Sequence, residues 1–593
     1  MPDDARPPWA VAFFAARDEL RRWIADALKR HADVPYAGGH DEGSFIASWF
    51  GCHQLFGAPA VLDFARFLRD GFALWAREHM RHGFAREGEA HHQTEIFTCF
   101  LARLWQVSPD DATAELIVDA AHHIGNWVEG IPAWYDWDTH RFLSWRVGTE
   151  TVGSGASSGY EVPDHFRLLQ IALVAHRITG EQRYLDLCTG YAERWTQAIL
   201  EAPVGRPPTV LHSGGAEADR DEVLSATGAH HQGDSALERV EPHVPAGTID
   251  VLLDLHALTG DEACALAARR LCEALLPALA DPYSNPPGAL VNRYRAATGD
   301  ASLDREILAR MTAGIDQLLE GLDGMLSFLE KTRVSGYALA AARLYAALAD
   351  NPFAADRLEE RAERYRELVG ERPQMGARIE TPAMVIETLS RKPVAGIGKR
   401  QDMVRWGWEN ELGALRPTSS PPPPSLMLAW QITGDEALAE RALGLVAERM
   451  ALARSALRDG RSHGCAGSTI GAVASGHGRD GGYGNVTGTL LPLAAGMLRD
   501  LAQERPTVRF RRADGPERPR TQNRATVPSR GADGSEHLPA EVASLVRLHP
   551  RAQAQVRLFN DAEQPVALEI AGPAGQWTRV HLAPRETIDL GVR

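Results

Sequence analysis

Apolar residues recur at helical spacing over most of the chain, and one short polar phrase repeatedly interrupts them. The phrase occurs in "AHRITGEQRYLDLC" from Ala175, "LHALTGDEACALAA" from Leu255 and "AWQITGDEALAERA" from Ala429, with a looser copy, "YRAATGDASLDREI", from Tyr294. A glycine in the left-handed conformation can end a helix, and an acidic residue favours the start of the next helix. Each phrase therefore predicts the tight tip of a helical hairpin.

Continuing this pattern along the chain predicts up to eight helical hairpins. The first helices of the pairs are expected at 43–56, 93–106, 163–179, 246–259, 286–298, 336–349, 422–433 and 487–502. The second helices are expected at 59–80, 109–124, 181–200, 261–278, 303–321, 353–370 and 435–456. A further helix at 9–30 could pair with 487–502 and close a ring, which leaves room for one or two pairs outside it.

The connections between hairpins differ sharply from the tips. The tips are short, whereas the segments from one hairpin to the next are long and rich in polar, aromatic and glycine residues, such as "HGFAREGEAHHQTE" and "RSHGCAGSTIGAVASGHGRDGGYGN". Long loops of this kind usually carry function. All of them lie at one end of the predicted hairpins, so one face of the fold is expected to carry the chemistry.

The composition of the sequence changes after Leu501. Residues 504–540 are rich in proline, arginine and glycine and indicate a linker or irregular wrap. The remainder shows short β-branched runs broken by turn residues, which predicts a small antiparallel β domain. The expected organisation is a mainly α fold: an (α/α) toroid of six to eight hairpins over 1–503, the linker over 504–540 and the β domain over 541–593.

This organisation resembles the (α/α) toroids of glycoside hydrolases and polysaccharide lyases. The shared features are helical hairpins with T-G-[DE] tips, long polar and aromatic loops on one face, and a small C-terminal β segment. The unsaturated glucuronyl hydrolases are one soluble example. The resemblance covers about residues 9–502. It implies a toroidal fold and a carbohydrate substrate, but epimerases and other toroids share the tip phrase, and no motif transfers individual catalytic residues.

Composition narrows the function classes. The formal net charge is −15, which disfavours a broad nucleic-acid surface, and no apolar run is long enough for a transmembrane helix. Acidic residues at the N-terminus argue against a signal peptide, so a cytoplasmic location is expected. None of the six cysteines forms C-x-x-C, and "EAHHQTE" and "HHQGD" lack H-E-x-x-H spacing. We therefore expect no metal, no cofactor and no membrane or nucleic-acid partner.

The stretch "SGHGRDGGYGNVTG", 475–488, contains G-x-G-x-x-G, the dinucleotide-binding fingerprint. That reading needs a preceding strand and a helix that opens within the glycines. Here the glycines continue to Gly484, and the surrounding sequence is helical hairpins. An irregular loop that brings its backbone close to a ligand is favoured, although a loop that only closes the ring is an open alternative.

The loop acids suit glycoside hydrolysis, in which one carboxylic acid protonates the leaving oxygen and a second group activates water or attacks the sugar. β-Elimination from a uronate is the alternative, with a tyrosine or histidine as the base. Each candidate could instead be a helix cap or an ion-pair partner. The candidates for catalysis are Asp41, Glu42, His92, Glu95, Asp480 and Tyr483.

The same loops are enriched in arginine, histidine and tryptophan although the chain is acidic. Cationic groups suit a substrate carboxylate, and aromatic faces suit sugar rings, which indicates an acidic oligosaccharide as the partner. Pairing with loop acids and ordinary core packing are the competing explanations. The candidates for substrate binding are His40, Trp134, Tyr135, His231, Trp406, Trp408, His477, Arg479 and Asn485.

A third hypothesis is a non-catalytic helical repeat that binds a glycan or a protein. Solenoid repeats have a fixed period and loops of similar length. The spacing between tips in this chain varies widely, and the long loops are individual. The pattern therefore favours a closed ring with a pocket.

Overall fold

The computed structural model describes residues 6–39, 42–46, 49–50, 53, 57–155, 158–219, 239–240, 242–280, 286–332, 335–370, 419–455, 508–513, 537–549, 553–572 and 574–592. Within these ranges the chain is mainly helical and has a β region at its C-terminal end. Among the described helices, none is long and apolar enough to cross a bilayer.

The first half of the helical region begins with a long helix and continues in pairs, with a short 3₁₀ turn at Glu42–Ile46. The third helix is continuous but contains a π-helical stretch, Ile96–Leu101, between Ala90–Glu95 and Ala102–Val107. The helices are α1 Pro8–His31, α2 Pro59–His79, α3 90–107, α4 Asp111–Ile124, α5 His165–Thr179, α6 Gln182–Glu201, α7 Thr248–Thr259 and α8 Glu262–Leu275.

The second half supplies seven more long or medium helices within the described ranges. They are α9 Pro286–Thr298, α10 Asp304–Thr312, α11 Ile315–Thr332, α12 Ser335–Ala349, α13 Ala355–Val369, α14 Pro423–Thr433 and α15 Glu436–Ser455. Most described helices begin and end within a few residues of the predicted bounds. The predicted helix 487–502 lies outside the described residues.

The hairpin tips have the predicted geometry. At the second tip Gly260 has a φ of +76°, the Thr259 hydroxyl accepts from the Asp261 amide at 3.2 Å, and the Asp261 carboxylate accepts from the Ala263 amide at 2.9 Å. The glycine ends one helix, and the aspartate caps the next. The glycines of the other three tips, Gly180, Gly299 and Gly434, also have a left-handed backbone conformation.

A matched pair of glycine substitutions tests this account of the tips. Gly260→Ala should lower the free energy of unfolding by about 1–2 kcal/mol, because a Cβ is strained at positive φ. Gly324→Ala, in the interior of α11 where a Cβ meets no neighbour, should raise it by about 0.5–1 kcal/mol. Urea unfolding measures both values, and equal effects of the two substitutions would contradict the tip geometry.

The first helices of the hairpins are buried on all sides. Residues 165–175 of α5, 248–255 of α7 and 423–431 of α14 are all buried. Their partners α6 and α8 bury one face and expose the other. A helix that is apolar all round must be covered by other elements on every side. The first helices therefore form an inner layer, and their partners form an outer layer.

Packing contacts lead through these layers and return to α1. In chain order, α3 and α4 contact α5, α5 contacts α6 and α7, α8 contacts α9, α9 contacts α14, and α15 contacts α1. On the other side of α1, Trp49 packs edge-on against Trp23 at 5.4 Å and stacks on Phe64 of α2 at 5.9 Å between ring centres. Residues 42–46 then connect α2 with α3.

The single helix predicted at 303–321 is wrong. The chain breaks at Ala313–Gly314, where Gly314 has a φ of +89°, and α11 then runs on to Thr332. Helices α11, α12 and α13 share a separate hydrophobic core that includes Leu322, Leu326 and Tyr365. The predicted pair 336–349 and 353–370 therefore belongs to a three-helix unit and packs mainly on α11.

The C-terminal β region consists of two three-stranded antiparallel sheets. Its strands are β1 Arg509–Arg512, β2 Val542–His549, β3 Gln553–Asn560, β4 Val566–Ala571, β5 Trp577–Leu582 and β6 Thr587–Val592. The strand orders are β5-β4-β1 and β6-β3-β2. Strand β1 lies within the segment predicted as a linker and pairs with β4. The predicted domain boundaries as a whole stay a prediction.

The β region is fixed to the end of an inner helix. The Gln431 side chain donates to the Val546 carbonyl at 2.7 Å and accepts from the Leu548 amide at 2.8 Å. Arg547 donates to the carbonyl oxygens of Gln431 and Ile432 at 2.9 and 2.6 Å. These bonds satisfy the carbonyl groups at the end of α14, which have no partner within the helix.

Candidate active site

Three of the long connections are joined by short antiparallel pairs. Gly88–Glu89 pairs with Arg146–Val147, and Tyr160–Glu161 pairs with Leu211–His212. The buried Gln93 side chain reinforces the first pair, because it donates to the Val147 carbonyl at 2.7 Å and accepts from the Ala85 amide at 2.8 Å. The segments around the starts of α3 and α5 therefore form one connected layer.

At the N-terminal ends of α3 and α5, close in sequence to these strand pairs, an imidazole lies between two carboxylates. His91 Nδ1 lies 3.6 Å from Asp164 Oδ1, and His91 Nε2 lies 4.0 Å from Glu95 Oε1. His91 and Glu95 share one side of α3 because they are four residues apart. Asp164 directly precedes α5. We call His91, Glu95, Asp164 and Arg167 the carboxylate–histidine cluster.

The members of this cluster differ in solvent exposure. The side chains of His91 and Asp164 each retain 11% exposure, whereas the Glu95 side chain retains 2%. Arg167 is buried, with its Nε 3.7 Å from Asp164 Oδ1. His91 and Asp164 thus form the accessible edge, and Glu95 lies behind the imidazole. Glu95 also directly precedes the π-helical stretch Ile96–Leu101, a distortion that often accompanies functional sites.

A second group of buried charges lies on the next inner helices. Arg293 of α9 donates to Asp250 at 2.7 Å and to Asp254 at 2.8 Å, and both aspartates belong to α7. All three side chains are at most 5% exposed. Buried charges of this kind need such pairing, because an isolated charge in the interior is strongly unfavourable. The inner helices α7 and α9 are therefore joined by a buried, charge-compensated group.

Sequence reasoning considered His91 only as one of the loop histidines of "EAHHQTE", and it missed Asp164 and the Arg293 group as functional candidates. Asp164 and His91 are distant in sequence, and only the packing of α3 on α5 brings them together. A signal for the second group was present in "TIDVLLDLHALT", where Asp250 and Asp254 stand four apart in an otherwise apolar helix. Two acids on one face of a buried helix require a cationic partner.

Two of the predicted catalytic residues, Glu42 and His92, make polar contacts outside the carboxylate–histidine cluster. The buried Glu42 carboxylate accepts from the amides of Ala37 at 2.8 Å and Gly39 at 3.0 Å, which fixes the preceding loop. His92 is partly exposed, and its Nδ1 lies 3.7 Å from Glu89 Oε2. The His92 ring also meets the His91 ring edge-on at 4.9 Å. Of the predicted catalytic residues, Glu95 lies within the cluster and His92 lies beside it.

The two described residues predicted to bind substrate are part of the core. Trp134 is fully buried, packs on His123 and Phe84, and donates from Nε1 to the Gly148 carbonyl at 2.9 Å. Tyr135 is also buried, and burial raises the pKa of its hydroxyl. Core packing accounts for both rings, and their contact with a sugar stays a prediction.

The remaining predicted site residues lie outside the described part of the chain. They are His40, Asp41, His231, Trp406, Trp408, His477, Arg479, Asp480, Tyr483 and Asn485. Within the described ranges, no three His, Cys, Asp or Glu side chains converge as a metal site would require. The expectation that the protein uses no metal or cofactor stays a prediction.

A further buried carboxyl group lies three residues before Asp164. Glu161 is 1% exposed, and its Oε1 lies 2.9 Å from Nη1 of Arg194, which also donates to the Ser213 carbonyl at 2.6 Å. Burial raises the pKa of Glu161 to about 7, although Arg194 and Arg141 oppose the rise. This carboxyl group therefore titrates near neutral pH within the loop layer.

Glu161 should make stability depend on pH. Its pKa is raised on folding from 4.5 to about 7, so between these values the folded state binds more protons than the unfolded state. Stability is then lost as pH rises through this window, by up to about 3 kcal/mol in total. Glu161→Gln should flatten this part of the curve, and the exposed Glu193→Gln should leave it unchanged. Urea unfolding at pH 5 and pH 8 measures the change in the free energy of unfolding for each protein. An equal change in the wild type and in Glu161→Gln would refute the raised pKa of Glu161.

Comparison with models of known protein families and with curated proteins finds no match. Among solved structures, the chain is similar to the unsaturated glucuronyl hydrolase of Bacillus sp. GL1, responsible for the degradation of glycosaminoglycan, at 13% identity over 52% of this chain and 84% of that one, with a TM-score of 0.37. It is also similar to an unsaturated glucuronyl hydrolase specific for heparin, at 11% identity over 48% of this chain and 78% of that one, with a TM-score of 0.35. A third similar structure is the unsaturated glucuronyl hydrolase from Streptococcus agalactiae, at 12% identity over 47% of this chain and 74% of that one, with a TM-score of 0.32. At these TM-scores the likeness is too distant to assign a fold or an activity.

Proposed function

We propose that the protein is a glycan-cleaving enzyme that hydrolyses uronate-containing oligosaccharides. The observation that carries this proposal is the position of His91 between the carboxylates of Asp164 and Glu95 at 3.6 and 4.0 Å. Glycoside hydrolysis needs one group that protonates the leaving oxygen and a second group that activates water, and a carboxyl group beside an imidazole can fill these two roles. Groups held in a largely buried setting can have their proton affinities separated, which the two roles need.

The different burial of the two carboxylates suggests different roles. The Asp164 side chain retains 11% exposure, so this carboxylate would contact the glycosidic oxygen or the attacking water. Glu95 is almost fully buried and reaches the accessible edge through His91. We assign Asp164 and His91 to proton transfer with the substrate, and Glu95 to orienting His91 and stabilising its charged form.

We further propose that the helices form a closed (α/α) ring around this site. The contacts that lead from α1 through the inner and outer layers and back to α1 support this arrangement. Helices α11, α12 and α13 would stand outside the ring, because they have their own core. The number of hairpins depends on 487–502, whose place in the ring is a prediction.

An acidic substrate is proposed because the loop layer carries exposed cationic groups. Arg86 retains 81% side-chain exposure, and Arg146 is half-buried beside Glu87 and Glu89. Guanidinium groups bind carboxylates in a planar, charge-assisted geometry. Exchange of a loop carboxylate for a substrate carboxylate would then bind a uronate at the loop layer.

β-Elimination is the second candidate, and the remaining exposure of the His91 side chain, 11%, favours it. In that reaction a histidine would remove the proton beside the uronate carboxylate, and a cation would neutralise that carboxylate. The Asp164 carboxylate would then hold the imidazole in place. The two reactions need the same cluster but leave different products.

A panel of saturated and unsaturated uronate oligosaccharides, with a neutral oligosaccharide as control, tests the proposal. New reducing ends without a gain in the ultraviolet absorbance of unsaturated uronate indicate hydrolysis, and a gain of both indicates elimination. Cleavage of the neutral oligosaccharide alone would contradict the acidic substrate. Absence of cleavage with every member of the panel would contradict the proposed activity.

A further inference from the structure

A buried chain of hydrogen bonds leads from α6 to the residue that follows Asp164. The indole Nε1 of Trp195 donates to the Tyr191 hydroxyl oxygen at 2.9 Å, and this oxygen lies 2.9 Å from Nδ1 of His165. The second imidazole nitrogen, Nε2, lies 3.1 Å from the Ser144 carbonyl oxygen. The three rings and Ser144 are fully buried. The direction of each bond is therefore set by the groups of the chain themselves.

The groups at the two ends fix the direction of every bond. An indole N–H can only donate, and a carbonyl oxygen can only accept. Nε2 of His165 therefore carries the proton that it donates to Ser144, and the Tyr191 hydroxyl, which accepts from Trp195, donates to Nδ1. The backbone N–H of Val162 also points to Nδ1, at 3.5 Å, which agrees with an accepting nitrogen. These partners hold His165 as the neutral Nε2–H tautomer.

The imidazole is bonded within the segment that carries Asp164. Nδ1 of His165 accepts from the Val162 amide, two residues before Asp164, and the His165 amide donates to the Val162 carbonyl oxygen at 3.1 Å. The side chain and the backbone of His165 thus close the same turn. Movement of this turn would move the Asp164 carboxylate with it.

Through Ser144 the imidazole is also connected to the segment that carries His91. The residue after Ser144 is Trp145, whose carbonyl oxygen accepts from the Ala90 amide at 3.0 Å. His91 follows directly in the chain. One buried ring therefore joins the two segments that supply the accessible members of the carboxylate–histidine cluster.

We propose that His165 is a positioning residue that sets the separation of His91 and Asp164, which is 3.6 Å between Nδ1 and Oδ1. A ring bonded at both nitrogens holds two chain segments at a fixed distance, and a displacement of about 1 Å at a reaction site can cost about 100-fold in rate. The inference deepens the proposed function, on whose reaction site it rests. His165 acts through Asp164 and does not touch the substrate.

Two substitutions separate the bonds of His165 from its packing. His165→Gln keeps a donor for the Ser144 carbonyl oxygen, because the amide nitrogen of glutamine takes the place of Nε2, whereas His165→Leu fills a similar volume without a hydrogen bond. We expect kcat for uronate oligosaccharides to fall about 100-fold in His165→Leu, with KM nearly unchanged, and less than about tenfold in His165→Gln.

Two further variants complete the kinetic test. In the Asp164→Asn background, His165→Leu should cause no further loss of kcat, because its effect passes through Asp164. His176→Leu, at the opposite end of α5, is the matched control and should keep full activity. Equal losses of kcat in His165→Leu and His165→Gln, or no loss in either, would overturn the proposal.

Hydrogen exchange followed by mass spectrometry tests the same contacts in the full chain without substrate. The amides of Val162 and Ala90 should both exchange about three- to tenfold faster in His165→Leu, the effect of one lost hydrogen bond. In His165→Gln only the Val162 amide should exchange faster. Faster exchange of Ala90 in His165→Gln, or unchanged exchange of Val162 in this variant, would contradict the two-sided connection.

Nitrogen NMR of the wild type with histidine labelled with heavy nitrogen tests the tautomer directly. A slowly exchanging Nε2–H signal that is lost in His165→Gln is expected, and a proton on Nδ1 of His165 would overturn the assignment. The exchange of His165→Gln and this signal also give the result if His165→Leu does not fold. If the wild type cleaves no uronate oligosaccharide, the proposed function fails, whereas these two measurements still decide whether His165 joins the two segments.

Discussion

Replacing Asp164 by asparagine is expected to lower the turnover of uronate oligosaccharides by about 10²–10⁴-fold, the usual contribution of a positioned acid or base. The change keeps the size of the side chain but removes its ability to exchange a proton. Asp164 makes no side-chain capping bond to α5, but it lies 3.7 Å from the buried Arg167, so the variant is expected to lose stability as well as activity. Steady-state kinetics should show the loss mainly in kcat, because the group acts on the reacting atoms.

Two further variants sharpen this test. Glu95→Gln should cause a smaller loss, because Glu95 contacts the reaction through His91. Asp186→Asn, on the exposed side of α6, is the matched control and should retain full activity. Full activity in Asp164→Asn, with a correctly folded protein, would show that the carboxylate–histidine cluster is not the reaction site.

The second large effect is expected on stability. Arg293→Met should lower the free energy of unfolding by about 3–5 kcal/mol, because it leaves Asp250 and Asp254 buried without their cationic partner. Urea unfolding followed by far-ultraviolet circular dichroism measures the change. Arg310→Met, which removes an exposed pair with Glu306 on α10, should cost less than about 1 kcal/mol.

The origin of the Arg293 effect can be separated from a simple packing defect. Adding Asp250→Asn and Asp254→Asn to Arg293→Met should recover much of the lost stability, because no unpaired charge is then buried. A triple variant as unstable as Arg293→Met alone would indicate that lost packing, and not uncompensated charge, causes the effect.

The sequence predicted the hairpins well because their signals are local. A threonine, a glycine and an acid at a tip, such as Thr259, Gly260 and Asp261, specify a helix end and a helix start through bonds within a few residues. The same kind of signal was present in "MTAGID", where Gly314 breaks the predicted helix 303–321. That break was missed because the apolar spacing continues on both sides of the glycine.

The candidate site was less predictable because its contacts join distant segments. Glu95 was identified from its histidine-rich surroundings, but its neighbour His91 contacts Asp164, which belongs to another hairpin. Trp134 was predicted from its polar, aromatic loop, whereas the fold buries it against Phe84 and His123. Which loop residues face a pocket and which face the core depends on long-range packing.

The most direct test of the central claim is cleavage of a uronate oligosaccharide in water labelled with heavy oxygen, followed by mass spectrometry of the first products. Hydrolysis by the carboxylate–histidine cluster predicts one labelled oxygen in each cleaved product pair with the wild type, and loss of this product with Asp164→Asn. Unlabelled products that carry a new double bond, or labelled products formed equally well by Asp164→Asn, would contradict the account.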